Sequence, residues 1–164
     1  MRFVPILAVA AVLAACTPRQ TVVAPPPAPP PPPPMVSAEE EARAAVARAH
    51  AAWEEGTRMG RQARWGEAVT YYLEATRLQP SNPTYHMMLA GAYLQQGRTQ
   101  EAADAMQAGV RAEEALATPN HRVLAVDYER LVELLTRLGR LDEARAAQER
   151  QRFHRMMRDA ARPQ

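Results

Sequence analysis

The sequence has no lysine, a single cysteine and few aromatic residues, and each shortage closes off a class of protein. One cysteine can neither form an intramolecular disulfide nor supply a multi-thiolate metal site, so Cys16 is left with an intermolecular bridge, a free thiol or a modification. Aromatic residues make up 5% of the chain while alanine recurs throughout. That composition suits closely packed helices better than sheets, which favour β-branched and aromatic side chains. The basic residues are all arginine, and their small surplus gives a net charge of only +2. Nucleic-acid binding needs several phosphates neutralised from one basic face, and nothing of that kind follows from this balance.

Catalytic patterns are also missing. No H-E-x-x-H, C-x-x-C-H, G-x-S-x-G or phosphate-loop motif occurs. The four histidines, His50, His86, His121 and His154, show no metal-ligand spacing with one another or with a carboxylate. His86 stands beside Met87 and Met88, a set that could bind copper, but helix-pair packing explains the same residues more simply. Acidic pairs such as Glu113-Glu114 read as a solvated helix face. The expectation is a chain that is not an enzyme and holds no cofactor.

What is present begins at the N-terminus. Met1-Arg2 gives a positive start, and residues 3–13 form an apolar run. Its length is that of a signal-peptide core and falls well short of the ~20 residues that span a bilayer. It leads into Leu13-Ala14-Ala15-Cys16, which resembles the lipobox of bacterial lipoprotein precursors. By that resemblance residues 1–15 are a cleaved signal, and Cys16 receives a diacylglycerol thioether and an acyl chain of the palmitate type on its new amino group. Such a covalent lipid makes membrane attachment effectively permanent. Thr17 stands where an inner-membrane retention Asp is common in the family, which implies the periplasmic face of the outer membrane. Residues 16–37 then form a linker carrying nine prolines in positions 25–34. Proline lacks an N–H and fixes φ, so this stretch is expected as a disordered, polyproline-like tether reaching ~3.1 Å per residue.

From Ser37 onward the pattern is helical. Ser37 followed by Glu40 is a capping box, and Glu39 to Glu41 suit the first turn of a helix. The segments Trp65-Gly66-Glu67-Ala68, Thr99-Gln100-Glu101-Ala102 and Leu141-Asp142-Glu143-Ala144 repeat one junction, the latter two introduced by Gly97-Arg98 and Gly139-Arg140 and the first by Ala63-Arg64. Ala68 and Ala102 are 34 residues apart, and the junction resembles that of the tetratricopeptide repeat. Leu89, Ala90 and Tyr93, then Ala102, Met106 and Gly109, stand at that repeat's large and small sites, as do Gly56, Met59, Tyr72, Ala75 and Pro80 in the first unit. In the third they are Leu131, Val132, Leu135, Ala144 and Gln148. The expected fold is all-α: a tetratricopeptide-like solenoid of about three helix-turn-helix pairs over 38–164. Its helices are expected near 38–62, 66–78, 83–96, 99–117, 120–138 and 141–160. Ala144 lies eight residues beyond the period, and the excess is expected to lengthen the fourth and fifth helices. Phe153 and Met157 are then expected to cover Val110 or Leu116.

The same resemblance implies a groove lined by the first helix of each pair. Its candidate partner-binding residues are Trp53, Thr57, Met87, Gly91, Leu94, Glu129, Arg130 and Glu133. Members that clamp a peptide C-terminus use Lys and Asn there; only Arg130 matches, so carboxylate capture is not expected. Trp53 is the best anchor, with burial against its own helix pair as the competing role. The Arg-rich final helix reads either as a polar cap or as a basic surface. Small lipoproteins built in this order resemble pilotin-type and tight-adherence pilus assembly lipoproteins. That resemblance implies an envelope scaffold holding a protein or peptide partner, attached to the membrane by lipid and binding no nucleic acid. A coordinator of peptidoglycan enzymes and a periplasmic metal- or ligand-binding protein are the rival readings, and oligomeric state is left open.

Overall fold

The computed structural model describes residues 37–161. They form α1 (Ala38–Arg61), α2 (Trp65–Leu78), α3 (Pro83–Gln95), α4 (Thr99–Glu114), α5 (His121–Arg137) and α6 (Leu141–Ala160), with no strand among the described residues. The signal, Cys16, the proline run and Arg162 lie outside them. Consecutive helices pair as α1 with α2, α3 with α4 and α5 with α6; the pairs then stack through α2 on α3 and α4 on α5. This is a tetratricopeptide-like α-solenoid.

Local chemistry places the ends. The Ser37 hydroxyl accepts the Glu40 N–H at 3.2 Å while the Glu40 carboxylate accepts the Ser37 N–H at 3.0 Å, a reciprocal capping box. Asn82 and Asn120 cap α3 and α5 with their side-chain oxygens, and Pro83 fills the first turn of α3, where no N–H is needed. All three hairpin turns are built alike. The N–H groups of Arg64, Arg98 and Arg140 reach back to the carbonyls of Met59, Tyr93 and Leu135 at 2.9–3.0 Å, the closing bond of a Schellman turn. The residue before each arginine takes left-handed backbone: φ is 72° at Gly97 and Gly139 and 56° at Ala63. Only Ala63 carries a Cβ into that region.

Small residues let the hairpins close. Ala68, Ala102 and Ala144 are buried at the fourth position of each second helix. At Gly56 a Cβ would stand 2.7 Å from the Tyr72 ring, so that contact could not form around a side chain; at Gly109 it would stand 2.9 Å from the Met87 methyl, which would have to shift. The larger side chains, among them Leu89, Tyr93, Met106, Leu131 and Leu135, fill the space between pairs. Val132 is half-buried and Gln148 exposed, so the third pair follows the repeat pattern least.

The eight extra residues are distributed differently from expectation. Relative to α2, its link and α3, two go to α4, two to the link 115–120 and four to α5. α4 therefore stops at Glu114, and Leu116 sits in the link, exposed. The expected apolar cover is overturned: Phe153 and Met157 are also exposed, while Val110 is buried in the main core. The face that α6 turns inward carries Ala144, Ala147 and His154, and Met157 lies about a quarter turn and Phe153 about a third of a turn away from it.

α6 is a packed cap held by a polar tie. His154, 2% exposed, stacks on Tyr128 at 5.6 Å and donates Nε2–H to Glu114 at 2.8 Å. Arg150, one turn earlier, donates to the same carboxylate oxygen at 2.7 Å. The opposite ring nitrogen of His154 meets His121 Nδ1 at 2.9 Å, so one N–H lies between the two rings. Glu114 thus joins α4 to α6, and it is half-buried and not a solvated face residue. Burial opposes its charge, but hydrogen bonds from His154, Arg150 and Tyr128 outweigh that and hold the carboxyl below its ordinary range. Burial first, then the Glu114 acceptor, pushes the Tyr128 phenol up to about 12.

Two measurements follow on the isolated 37–164 segment. Ala63→Gly relieves a left-handed Cβ clash, offset by chain entropy, and should raise the thermal midpoint by the equivalent of ~0.5–1 kcal/mol; a lowered midpoint would mean the turn is not strained there. Glu114→Gln should destabilise by ~1–3 kcal/mol at neutral pH, the scale of a lost charged hydrogen-bond acceptor. Because the folded carboxyl titrates below the unfolded one, its contribution is complete above the ordinary glutamate range near pH ~4.3 and is lost as pH falls through the folded value. The gap between wild type and variant should therefore close on acidification.

Candidate functional site: the groove of the first helices

α1, α3 and α5 are the first helices of their pairs, and two of the cavities among the described residues bear on the groove expected along them. One, of about 290 Å3, is lined by Trp53, Glu54, Thr57, Arg58 and Arg61 along α1. The other, of about 250 Å3, lies between α3 and α5, with Met87, Met88 and Pro83 on one side, Val123 and Asp127 on the other, and Glu113 of α4 at its edge. Trp53 and Thr57 therefore share one cavity and Met87 contributes to the second. Gly91, Leu94, Glu129, Arg130 and Glu133 line neither.

Trp53 takes the packing role and also lines the α1 cavity. It is half-buried, packs against both core clusters, and lies 5.3 Å from the His50 ring and 6.4 Å from Tyr85. Its indole N–H is buried without an acceptor, a cost that the aromatic contact area must offset. Thr57 is spent internally: its hydroxyl donates to the Trp53 carbonyl at 2.9 Å and accepts from Tyr72 at 3.3 Å. Met87 is half-buried against Gly109. The open part of the face is Gly91, where an added Cβ would meet nothing within 4 Å, and the exposed Leu94 one turn on. Along α5, Glu129, Arg130 and Glu133 are exposed, with Glu133 held by Arg137 at 2.5 Å.

Residue patterning missed Glu113, Val123 and Asp127. Asp127 is the most informative of them: its side chain is 13% exposed and its nearest cation, Arg130, is 3.8 Å away. Burial raises its carboxyl above the ordinary range and the neighbouring Glu113 charge adds to that, against a smaller lowering by Arg130. The sequence cue available was the i, i+4 pairing of Val123 with Asp127 on the same face of α5. His86 Nε2 lies 2.8 Å from the Pro80 carbonyl. Among the described residues no group of three or more His, Cys, Asp or Glu side chains could hold a metal ion.

Comparison with known proteins agrees with this geometry. Residues 54–117 match the family model of the tetratricopeptide repeat, from the last third of α1 into the link after α4. No curated protein matches the chain. Among solved structures, the second tetratricopeptide domain of Spaghetti (RPAP3) bound to the HSP90 peptide SRMEEVD is similar over 70% of this chain and 97% of its own, at 18% identity and a TM-score of 0.54. The first such domain of the same protein, bound to the same peptide, is similar over 66% of this chain and 80% of its own, at 22% identity and a TM-score of 0.51. These likenesses establish the fold, a tetratricopeptide-like solenoid, with residues 54–117 matching the repeat's family model.

The burial pattern separates groove residues that can be changed freely from those that cannot. Trp53→Ala should lower stability by ~2–4 kcal/mol, as large core truncations do. Leu94→Ser should stay within ~0.5 kcal/mol of wild type, as exposed substitutions do. Denaturant midpoints of the two variants test this directly, and a silent Trp53→Ala would remove Trp53 from the core.

Proposed function

We propose that this chain is a non-enzymatic scaffold whose first-helix groove holds a segment of a protein partner. The observation that carries it is the open face at Gly91 and Leu94 of α3, with one cavity along α1 and another between α3 and α5, on a fold shared with two domains of one protein that each bind a peptide. A solenoid of so few pairs has little interior to spare for a reaction centre, whereas its concave side offers an extended docking surface. The sequence places this domain behind a lipobox and a proline-rich tether. In this reading Cys16 bears the lipid and the scaffold stands at the periplasmic face of the outer membrane. A role in pilus or secretion-system assembly is the envelope process that the resemblance favours.

The anchoring half of the proposal has a direct test. Cys16→Ser should leave an unprocessed precursor in cells and abolish labelling with an alkynyl palmitate analogue, because no other cysteine exists to accept the thioether. A Cys16→Ser chain that is still labelled and still processed would rule out lipid anchoring at this residue.

A further inference from the structure

We propose that the cavity between α3 and α5 is a seat for one basic side chain, a lysine or arginine, of the segment bound in the groove. The inference rests on the groove reading and adds the charge of the ligand to it.

The cavity combines two surfaces that only one kind of side chain satisfies. Met87, Met88, Pro83 and Val123 supply apolar walls, and methionine adapts its shape to what it contacts. Glu113 and Asp127 supply two carboxylates, and no lining residue is cationic. The carboxylates are poorly compensated. Arg130, the one cation paired with Asp127 among the described residues, sits at 3.8 Å with its own side chain 66% exposed, beyond hydrogen-bonding distance. Glu113 accepts the Asn120 N–H at 3.0 Å, and among the described residues no arginine pairs with it. Burial raises the Asp127 carboxyl and the Glu113 charge adds to that, and both carboxylates line a cavity whose other walls are largely apolar.

A long aliphatic stem ending in a cation fits that arrangement from both ends. The stem covers methionine and valine while the ammonium or guanidinium lies between the two carboxylates. Other occupants fit worse. At about 250 Å3 the cavity falls below the ~300–1,000 Å3 typical of small-molecule sites, so it suits one side chain and not a free ligand. Two carboxylates without a third metal ligand make a weak cation cage. An acidic segment is repelled. The sign is opposite to that of the SRMEEVD peptide, with its two glutamates and one aspartate, held by the structural relatives. The Trp53 cavity on α1 differs: Glu54 lines it together with Arg58 and Arg61, and Arg58 is already paired with Glu55, so it offers no comparable surplus of one charge.

The test is selection of random dodecapeptides displayed on phage against the immobilised full chain in detergent. Gly91→Arg serves as a groove-blocked control, since Gly91 is exposed and an added Cβ there meets nothing within 4 Å. The expected result is peptides retained by wild type over the control, with lysine plus arginine enriched about threefold over the input. Replacing the basic residue of a retained peptide by norleucine should weaken its Kd about tenfold against wild type and no more than about twofold against Asp127→Asn, the contrast expected of a half-buried charge pair. Glu113→Gln is the second variant, should Asp127→Asn shift the thermal midpoint by more than a few degrees. Retained peptides without basic enrichment, or enrichment that survives both variants, overturn this inference and leave the groove reading standing. No retention above the Gly91→Arg control overturns the groove reading and this inference with it.

Discussion

The structure depends on how closely two helices can approach within a hairpin. Ala68, Ala102 and Ala144 sit at the same place in α2, α4 and α6, and each is buried at the contact with its partner helix. A methyl there keeps the helix axes near the short end of the ~8–10 Å range of packed helices. Gly56 on α1 and Gly109 on α4 add to the closeness of their hairpins by admitting the Tyr72 ring and the Met87 methyl. With small residues spent inside the hairpin, the large ones must go between hairpins. That is why Tyr93, Leu131 and Leu135 belong to one continuous core and the stack cannot be shortened without exposing it.

The same constraint shapes the groove. A first helix presses its small face on its hairpin partner and its large face on the neighbouring pair, which leaves a third stripe with no neighbour. On α3 that stripe includes Gly91 and Leu94, and on α1 it includes the outer edge of Trp53. The open face is thus a by-product of packing. What distinguishes this chain is the set of residues placed along it: methionine in the middle, arginine beside Trp53, and carboxylate at the α5 end.

Much of the fold was legible because its signals are local. Ser37 with Glu40, Asn82 with Pro83, and Gly97 and Gly139 before arginine each act within a turn of themselves, and the helix ends fall within a few residues of where those signals put them. Ala63 was visible as the position where glycine was missing, and the backbone is left-handed there all the same. The groove was legible only as a list of positions. Thr57 occupies its place but has given its hydroxyl to Trp53 and Tyr72, a commitment that no spacing rule reveals. Glu113 and Glu114 looked like a solvated face because their partners are distant in sequence: Arg150 and His154 lie 36 and 40 residues from Glu114. His154 took the inward position that Phe153 was expected to fill, since a buried imidazole with two hydrogen-bond partners and an aromatic stack is as well satisfied there as a hydrocarbon.

These departures have one origin. Aligned on Ala68, Ala102 and Ala144, the residues by which α4 outruns α2 are Glu113 and Glu114, and those by which α5 outruns α3 are His121 to Leu124. Glu114 and His121 bind His154 from two sides and fix the last helix. Glu113 and Val123 furnish the acidic edge and an apolar wall of the α3–α5 cavity. The eight residues in excess of the repeat period therefore do two things that a regular third repeat could not. They replace an apolar cap with a hydrogen-bonded one, freeing the outer face of α6 from core duty, and they set negative charge beside the methionines of the groove. Repeat regularity builds the scaffold; the interruption gives it a polar lock at its end and a charge preference on its open face.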